Sequence, residues 1–155
     1  MVLTRVQHPE VRELALRLLS SDSAMSLLAV DLLVLNFEEG DEELLHMLLK
    51  RSAQADDGYL HAFCSDVRRL TDAHPTPAML TLLADCYPSQ PCAHCRHQLL
   101  VLLTQRAAVP AWLQVEARLD ASPETHTLMS RGGTVATDSL NGDRAIGSGA
   151  ARTSD

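Results

Sequence analysis

The sequence predicts an all-α protein, and its composition and its apolar pattern support this fold class. Hydrophobic residues make up 46% of the 155 residues but aromatic residues only 3%. A core built from Leu, Val, Ala and Met suits packed helices better than a β-sandwich. Apolar residues recur at helical spacing in one segment after another, and no segment has the pattern of a strand. A doubly wound sheet is therefore not expected, and the length corresponds to about one domain.

The first two predicted helices differ in how their apolar residues are distributed. Residues 8–20 place Pro9 in the first turn and then set apolar side chains on one helical face, with charged residues opposite. This is the pattern of a helix at the surface. Residues 21–37 are apolar on nearly all sides after a predicted N-cap at Ser21 or Asp22. We therefore expect the second helix to be the most buried element.

Two further helices complete the first half of the chain. Residues 38–52 offer Asp41 as an N-cap, acidic residues in the first turn, and Lys50 and Arg51 in the last turn. That distribution of charge complements the helix dipole. The acidic turn before this helix lacks the ligand spacing of an EF-hand, so a calcium loop is not predicted. Residues 56–74 form the fourth predicted helix.

The second half of the chain repeats a proline at regular intervals. Each of these prolines is predicted at the first position of a helix, where the missing N–H costs nothing: Pro77, Pro91, Pro110 and Pro123. Pro77 and Pro110 are 33 positions apart (110 − 77), and Pro91 and Pro123 are 32 apart (123 − 91). These intervals are typical of helical-hairpin repeats. We therefore predict antiparallel hairpins stacked as a short α-solenoid, with a closed helical bundle as the alternative.

The composition changes near the end of the chain. Residues 130–155 are rich in Gly, Ser, Thr, Asp and Ala, with isolated apolar residues and no helical period. Such a segment cannot bury enough surface to offset the entropy lost on ordering. The sequence predicts a helical domain over residues 1–129 and a disordered tail over residues 130–155. A linker-like or frameshifted terminus would have a similar composition.

Charge and hydropathy restrict the partners and the compartment. The net charge of −7 disfavours attraction to nucleic acid or to anionic lipid. The longest apolar run, residues 27–37, is too short to span a bilayer and is interrupted by Asp31. The first residues lack the apolar core of a secretory signal. We expect a soluble, cytoplasmic protein with reduced cysteines and with neither a membrane nor a nucleic-acid partner.

The segment "SQPCAHCRHQ", residues 89–98, contains the only closely spaced pair of cysteines. Cys92 and Cys95 are three residues apart, so they share one face of a helix. A zinc site would need about four ligands. The local candidates are Cys86, Cys92, Cys95 and either His97 or His94. Because no second C-x-x-C or H-x-x-x-H occurs, the zinc signature is incomplete.

The favoured interpretation of this segment is structural. Pro91 starts a helix, the two thiols fill space against the neighbouring hairpin, and Arg96 reaches a nearby carboxylate or carbonyl. The sequence thus predicts neither a metal nor a cofactor. The alternative is a metal- or redox-responsive protein that uses Cys92 and Cys95, together with Cys86 or His97.

Other candidate residues also favour a structural role. His61 and Cys64 lie three apart on one helix but have no third partner for a catalytic dyad, and Cys64 is predicted in the core. Trp112, the only tryptophan, is predicted to anchor the last hairpin, and an exposed position would instead make it a binding hot spot. No P-loop, G-x-S-x-G, H-E-x-x-H or G-x-G-x-x-G motif occurs. An enzyme is therefore not expected.

Three motifs carry a resemblance to a known family: Asn36, Glu38, Gly40 and Asp41; Pro91, Cys92, Cys95 and Arg96; and Pro110, Trp112, Leu113, Glu116, Asp120 and Ala121. With them the chain resembles uncharacterised bacterial HEAT-repeat-like proteins over roughly residues 8 to 129. The resemblance departs at Ala117, where relatives often carry Cys, and at residues 125–128, where they carry a charged end. It implies the α-solenoid architecture but no activity or ligand. By analogy with that architecture, we predict a non-catalytic interaction or scaffold module with an unidentified protein partner.

Overall fold

The computed structural model describes residues 3–21, 26–52 and 57–132. Within them the chain forms a short 3-10 helix, Leu3–Arg5, and eight α-helices with no strand, which confirms the all-α prediction. The helices are α1 Pro9–Ser20, α2 Ser26–Leu33, α3 Asp41–Arg51, α4 Asp57–Ala73, α5 Pro77–Cys86, α6 Ala93–Gln105, α7 Ala111–Ala117 and α8 Pro123–Gly132.

The helices pack in two rows that alternate along the chain. The even-numbered helices form one row, in which α2 contacts α4, α4 contacts α6, and α6 contacts α8. The odd-numbered helices α1, α3 and α5 follow one another in the second row. Contacts between α1 and α2, between α5 and α6, and between α7 and α8 join the rows. The apolar core lies between the rows because each helix buries its apolar side there.

Three of the prolines open helices as helix physics predicts. Pro9, Pro77 and Pro123 each occupy the first position of their helix. The residue before each proline supplies a cap: the imidazole of His8, the hydroxyl of Thr76 and the hydroxyl of Ser122 accept backbone N–H groups of the first turn. On α1 the predicted inward face is buried, including Ala15 and Leu19.

Pro91 and Pro110 lie outside the first helical position, so that part of the prediction was wrong. Pro110 is the N-cap of α7 and has an extended backbone conformation. Pro91 precedes the N-cap of α6, Cys92. The carbonyls of Gln90 and Pro91 accept hydrogen bonds from the Arg96 guanidinium, so they are turned toward that side chain. The helix begins after Cys92, whose carbonyl accepts the first helical hydrogen bond, from the Arg96 N–H.

Asp41 is the first residue of α3 and not its cap. Gly40 is the N-cap and has φ of 102°, a left-handed conformation that glycine adopts at little cost. The Asp41 carboxylate instead accepts the backbone N–H of Glu38 at 2.9 Å and a hydrogen bond from Arg12 at 2.6 Å. Asp41 is buried, so this carboxylate joins the turn to α1.

Helix α2 is shorter than the predicted segment. It ends at Leu33, and five of its eight residues are buried, in line with an element covered on several sides. Ser21 caps the end of α1, where its hydroxyl donates to the Leu18 carbonyl. Asp22, the other predicted cap of this helix, lies outside the described residues.

The end of the last helix passes the predicted domain boundary. Met129 is buried, and α8 continues to Gly132, three residues beyond the predicted end of the helical domain. The rest of the predicted tail, residues 133–155, lies outside the described residues. Among the helices that are described, none is both long and apolar enough to cross a membrane.

Ala107 adopts a conformation that favours glycine. Its φ is 52°, and it follows the last turn of α6. Ala108 N–H bonds to the Leu103 carbonyl and Ala107 N–H to the Thr104 carbonyl, the hydrogen-bond pattern of a Schellman motif. This motif turns the chain from α6 toward α7.

We expect Ala107→Gly to stabilise the protein by about 0.5–1 kcal/mol, because glycine tolerates the left-handed conformation without the Cβ clash. Urea unfolding of the variant and the wild type measures the difference. Ala121→Gly is the matched control, since Ala121 is also exposed but its φ is not positive. Equal effects of the two substitutions would contradict the assignment of strain to Ala107.

Candidate functional site

Three side chains of metal-ligand type converge where α4 meets the beginning of α6. They are His61, Cys92 and Cys95, and their ligand atoms all lie within 4.8 Å of one another. The Cys95 sulfur is 4.0 Å from Nε2 of His61. His61 is exposed and the two cysteines are half-buried, so the cluster opens to solvent. It is the only such group of three or more His, Cys, Asp or Glu side chains in the described part of the chain.

Local structure explains how the two thiols come to the same place. Cys92 is the N-cap of α6 and Cys95 lies in its first turn, so the three-residue spacing brings both side chains to one end of the helix. The buried side chain of Gln90 then connects this end to α4. Its Oε1 accepts the Cys92 N–H at 3.2 Å, and its Nε2 donates to the His61 carbonyl at 3.4 Å. The Gln90 amide thus links the backbone of His61 on α4 to the backbone of Cys92 at the start of α6.

The two thiols differ in their acidity. The pKa of Cys92 is lowered, first by the backbone amide of Cys95 and then by the Cys95 thiol, with smaller help from the His94 amide and the Arg96 charge. The pKa of Cys95 is raised, chiefly by burial and then by Cys92. The environment therefore favours a thiolate at Cys92 over one at Cys95.

A buried ionic network holds the first turn of α6 in place. Arg96 donates through Nε to Asp120 at 2.6 Å, and the Tyr87 hydroxyl donates to the same carboxylate at 2.7 Å. The Ser122 N–H also donates to Asp120 at 2.8 Å. The prediction that Arg96 reaches a nearby carboxylate or carbonyl is confirmed, and Arg96 in fact bonds to both kinds of group. The network fixes α6 against the turn between α7 and α8.

The network shifts the pKa values of its members. Burial alone would raise the pKa of Asp120, but the hydrogen bonds from Arg96, Ser122 and Tyr87 outweigh it and lower that pKa to about 2. The pKa of Tyr87 is raised by burial and by the Asp120 carboxylate. The pKa of Arg96 is raised because it bonds to Asp120. All three groups therefore keep their ordinary charge at neutral pH.

The other two cysteines lie in the core, away from the cluster. Cys64, predicted to be a core residue, and Cys86 are both fully buried, and the Cys64 thiol donates to the Cys86 carbonyl at 3.7 Å. The pKa of Cys86 is raised well above its ordinary value by the neighbouring Cys64 thiol and by burial. Cys86 is not a member of the group that contains Cys92 and Cys95.

The histidines next to the cysteine pair are directed elsewhere. Nδ1 of His97 is 3.4 Å from the Thr125 hydroxyl on α8, and Nε2 of His94 is 2.9 Å from the Gln98 amide. The sequence considered His61 only with Cys64 and did not indicate its place beside Cys92 and Cys95. His61 lies on α4 and comes to the pair through the packing of α4 against α6. The only signal in the sequence would have been a histidine on one predicted helix and a cysteine pair on the next helix but one, as on α4 and α6.

Asp66, which lies outside both the cluster and the Arg96 network, also has a shifted pKa. Burial and the nearby Asp31 charge raise the pKa of Asp66 to about 6, while Arg69 acts in the opposite direction. Arg69 bonds to Asp31 at 2.6 Å and to Asp66 at 3.4 Å. The arrangement is a bridge between α2 and α4.

A second surface feature is the outer side of α7 and of the turn that follows it. Trp112 and Val115 on α7 are 45% and 63% exposed, and Leu119, two residues after the helix, is 83% exposed, whereas Leu113 and Ala117 on α7 are buried. Trp112 and Val115 are three residues apart, so they lie next to each other on the helix surface. The prediction that Trp112 is an anchor is therefore replaced by the exposed alternative.

A groove of about 280 Å³ lies beside Trp112, between α7 and α5. Its apolar lining comes from Pro77, Leu80, Ala84, Ala108, Pro110 and Trp112. Asp85 contributes a carboxylate at the edge, with its side chain 46% exposed. The groove and the exposed side chains of Trp112, Val115 and Leu119 have Trp112 in common, and together we call them the α7 surface.

Comparison with known proteins found no matching family model, no matching curated protein and no matching solved structure.

Proposed function

We propose that the protein is a non-catalytic binding module whose partner presents an amphipathic, basic helix to the α7 surface. The observation that carries this proposal is the exposure of Trp112, Val115 and Leu119 on one short stretch of chain. Large apolar side chains that are neighbours at a surface are typical of contact sites, and tryptophan is enriched among binding hot spots.

The shape and lining of the groove favour a helix as the occupant. Two helices border it, and its lining is mostly aliphatic, which suits the apolar side of an amphipathic helix. Addition of a strand requires an exposed sheet edge, and the described residues contain no strand. A proline-rich segment generally docks between several aromatic side chains, whereas this groove has only Trp112.

Charge favours a basic partner. Asp85 lies at the edge of the groove and Glu116 is exposed on α7, and Arg118 is a basic residue close to Glu116 in sequence. The whole chain carries a net charge of −7. A partner with positive charge beside its apolar side chains would associate faster with such a surface, and this attraction would weaken as salt is added.

We also propose that the two rows of helices form a short α-solenoid of HEAT-like hairpins. The support is the order of packing, in which each even-numbered helix contacts the next even-numbered helix, and α1, α3 and α5 pack in the same order. Solenoids leave extended surfaces for partners, as the proposed function requires. The four free thiols would suit the cytoplasm, which we propose as the compartment.

Site-specific crosslinking tests the partner. A photoreactive amino acid replaces Val115 in the full chain, and the same amino acid at Glu13, exposed on α1, is the control. After irradiation in cells that produce the protein, we expect a crosslinked segment that is apolar on one helical face and basic beside it. Crosslinks only to a second copy of the chain or to a proline-rich segment would contradict the proposal. So would a crosslinking yield at Val115 no higher than at Glu13.

Because Trp112 is the only tryptophan, its fluorescence reports on the same surface. A synthetic peptide of the captured segment is expected to shift the emission to shorter wavelength as it covers the indole. Leu119→Asp should weaken binding about tenfold or more, since it places a charge in the contact. Glu13→Ala is the matched control. Binding without a fluorescence change, or unaffected by Leu119→Asp, would place the partner elsewhere.

A further inference from the structure

We propose that His61, Cys92 and Cys95 bind one thiophilic d¹⁰ metal ion, Zn²⁺ or Cu⁺, per chain. This site goes beyond the proposed function and does not depend on the α7 surface. Two sulfur donors and one imidazole form a soft ligand set. Such a set selects Zn²⁺ or Cu⁺ over Mg²⁺ and Ca²⁺, which require oxygen ligands.

The spacing of the donors fits an ion of this class. With Zn–S distances of about 2.3 Å and Zn–N distances of about 2.0 Å, tetrahedral ligands lie about 3.5–3.8 Å apart. The sulfur of Cys95 and Nε2 of His61 are 4.0 Å apart, and all three donor atoms are within 4.8 Å of one another. Side-chain rotations that close these distances by at most about 1.3 Å would complete the coordination.

The surrounding structure holds the ligands from both sides. Gln90, only 1% exposed, bonds to the backbone of His61 and of Cys92, so α4 and the start of α6 keep a fixed separation. Arg96 follows Cys95 directly and is fixed by Asp120. Support of this kind orients metal ligands and reduces the entropy lost when the ion binds.

Three protein ligands leave a tetrahedral ion with one open position. His61 is exposed and both cysteines are half-buried, so that position faces solvent. Zn²⁺ would take a water or an external thiol there, whereas Cu⁺ can remain with three ligands. The site therefore differs from closed structural zinc sites, in which four protein ligands surround the ion.

The ligand set differs from the one considered from the sequence. Cys86 lies in the core with Cys64, and His97 faces Thr125. His61 supplies the third ligand in their place. An ion would thus join α4 to α6, two helices that already contact each other, and would stabilise that contact further.

Metal titration of the full chain tests the site. The protein is purified without an affinity tag under reducing conditions, stripped with a chelator, and titrated separately with Zn²⁺ and Cu⁺ against chromophoric chelators. We expect one equivalent of at least one ion to bind. Cobalt should give a thiolate-to-metal charge-transfer band, which only sulfur coordination produces. Binding of Zn²⁺ alone or of Cu⁺ alone would identify the ion.

Matched variants locate the ligands. Cys92→Ser, Cys95→Ser and His61→Ala should each reduce the affinity about tenfold or more. His94→Ala should leave it unchanged, because that ring lies on the same turn of α6 but outside the cluster. Circular dichroism confirms that each variant is folded. The proposal is overturned if neither ion binds, if all three ligand variants bind as the wild type does, or if His94→Ala weakens binding equally.

Discussion

Replacing Asp120 with asparagine is expected to lower the free energy of unfolding by about 3 kcal/mol at pH 7. The substitution preserves size but removes the negative charge that Arg96 faces at 2.6 Å. The side chain of Arg96 is only 20% exposed, so its charge would be left partly buried and unpaired. Urea unfolding followed by circular dichroism measures the change.

The control for this substitution is an exposed ion pair of the same residue types. Arg106 and Asp72 lie 3.5 Å apart, with the Asp72 side chain 62% exposed. Such pairs contribute little, so Asp72→Asn should change the free energy of unfolding by less than about 0.5 kcal/mol. If the two variants lost the same stability, burial of the Asp120 pair would not be the cause.

The same pair makes stability depend on pH in a defined direction. The pKa of Asp120 in the folded protein is about 2, below the value of about 4 for an unfolded aspartate. The charged form is therefore favoured by folding, which contributes about 2 kcal/mol. This contribution is complete above pH 4 and is lost as the pH falls through 2. The difference between wild type and Asp120→Asn should narrow over that range.

Composition and apolar spacing predicted the helices because both depend on local interactions. The apolar spacing of residues 8–20 predicted the buried face of α1. Pro9, Pro77 and Pro123 predicted where α1, α5 and α8 begin. Pro91 and Pro110 do not follow this rule, since Pro110 is the N-cap of α7 and Pro91 precedes the N-cap of α6. Near Pro91, the Arg96 guanidinium donates hydrogen bonds to the carbonyls of Gln90 and Pro91, which lie before the helix.

The candidate metal site could be predicted only in part. Cys92 and Cys95 are close in sequence, and their spacing on one helix made them visible as a pair. His61 is 31 positions before Cys92 (92 − 61), and only the packing of α4 on α6 brings it near. Sequence proximity pointed instead to Cys86 and His97, which the same packing directs into the core and toward α8.

Two buried aspartates, one in each half of the helical region, make similar contacts. Asp41 pairs with Arg12 of α1 at 2.6 Å, and Asp120 pairs with Arg96 of α6 at the same distance. Each carboxylate also accepts a backbone N–H of its own turn. In both places an arginine on a preceding helix fixes a later turn. The motifs that contain Asp41 and Asp120 therefore each supply a carboxylate that joins a turn to an earlier helix.

Asn36 is the buried polar residue whose removal we expect to cost most after Asp120. Its Oδ1 accepts the His8 N–H at 2.8 Å, and its Nδ2 donates to the Val6 and Leu32 carbonyls at 2.9 and 2.8 Å. Asn36→Ala would leave these backbone groups without their partner, at a cost of about 2 kcal/mol in the free energy of unfolding. Urea unfolding measures it.

A second substitution separates hydrogen bonding from packing at this position. Asn36→Asp has the same shape and can still accept the His8 N–H, but its carboxylate would face the carbonyls of Val6 and Leu32. We therefore expect it to destabilise the protein at pH 7 at least as much as Asn36→Ala. Gln114→Ala is the control, because that amide bonds to the Val109 carbonyl at the surface and its loss should cost less than about 0.5 kcal/mol. A mild effect of Asn36→Asp would mean that the shape of Asn36, and not its two donated hydrogen bonds, joins the segment before α1 to the end of α2.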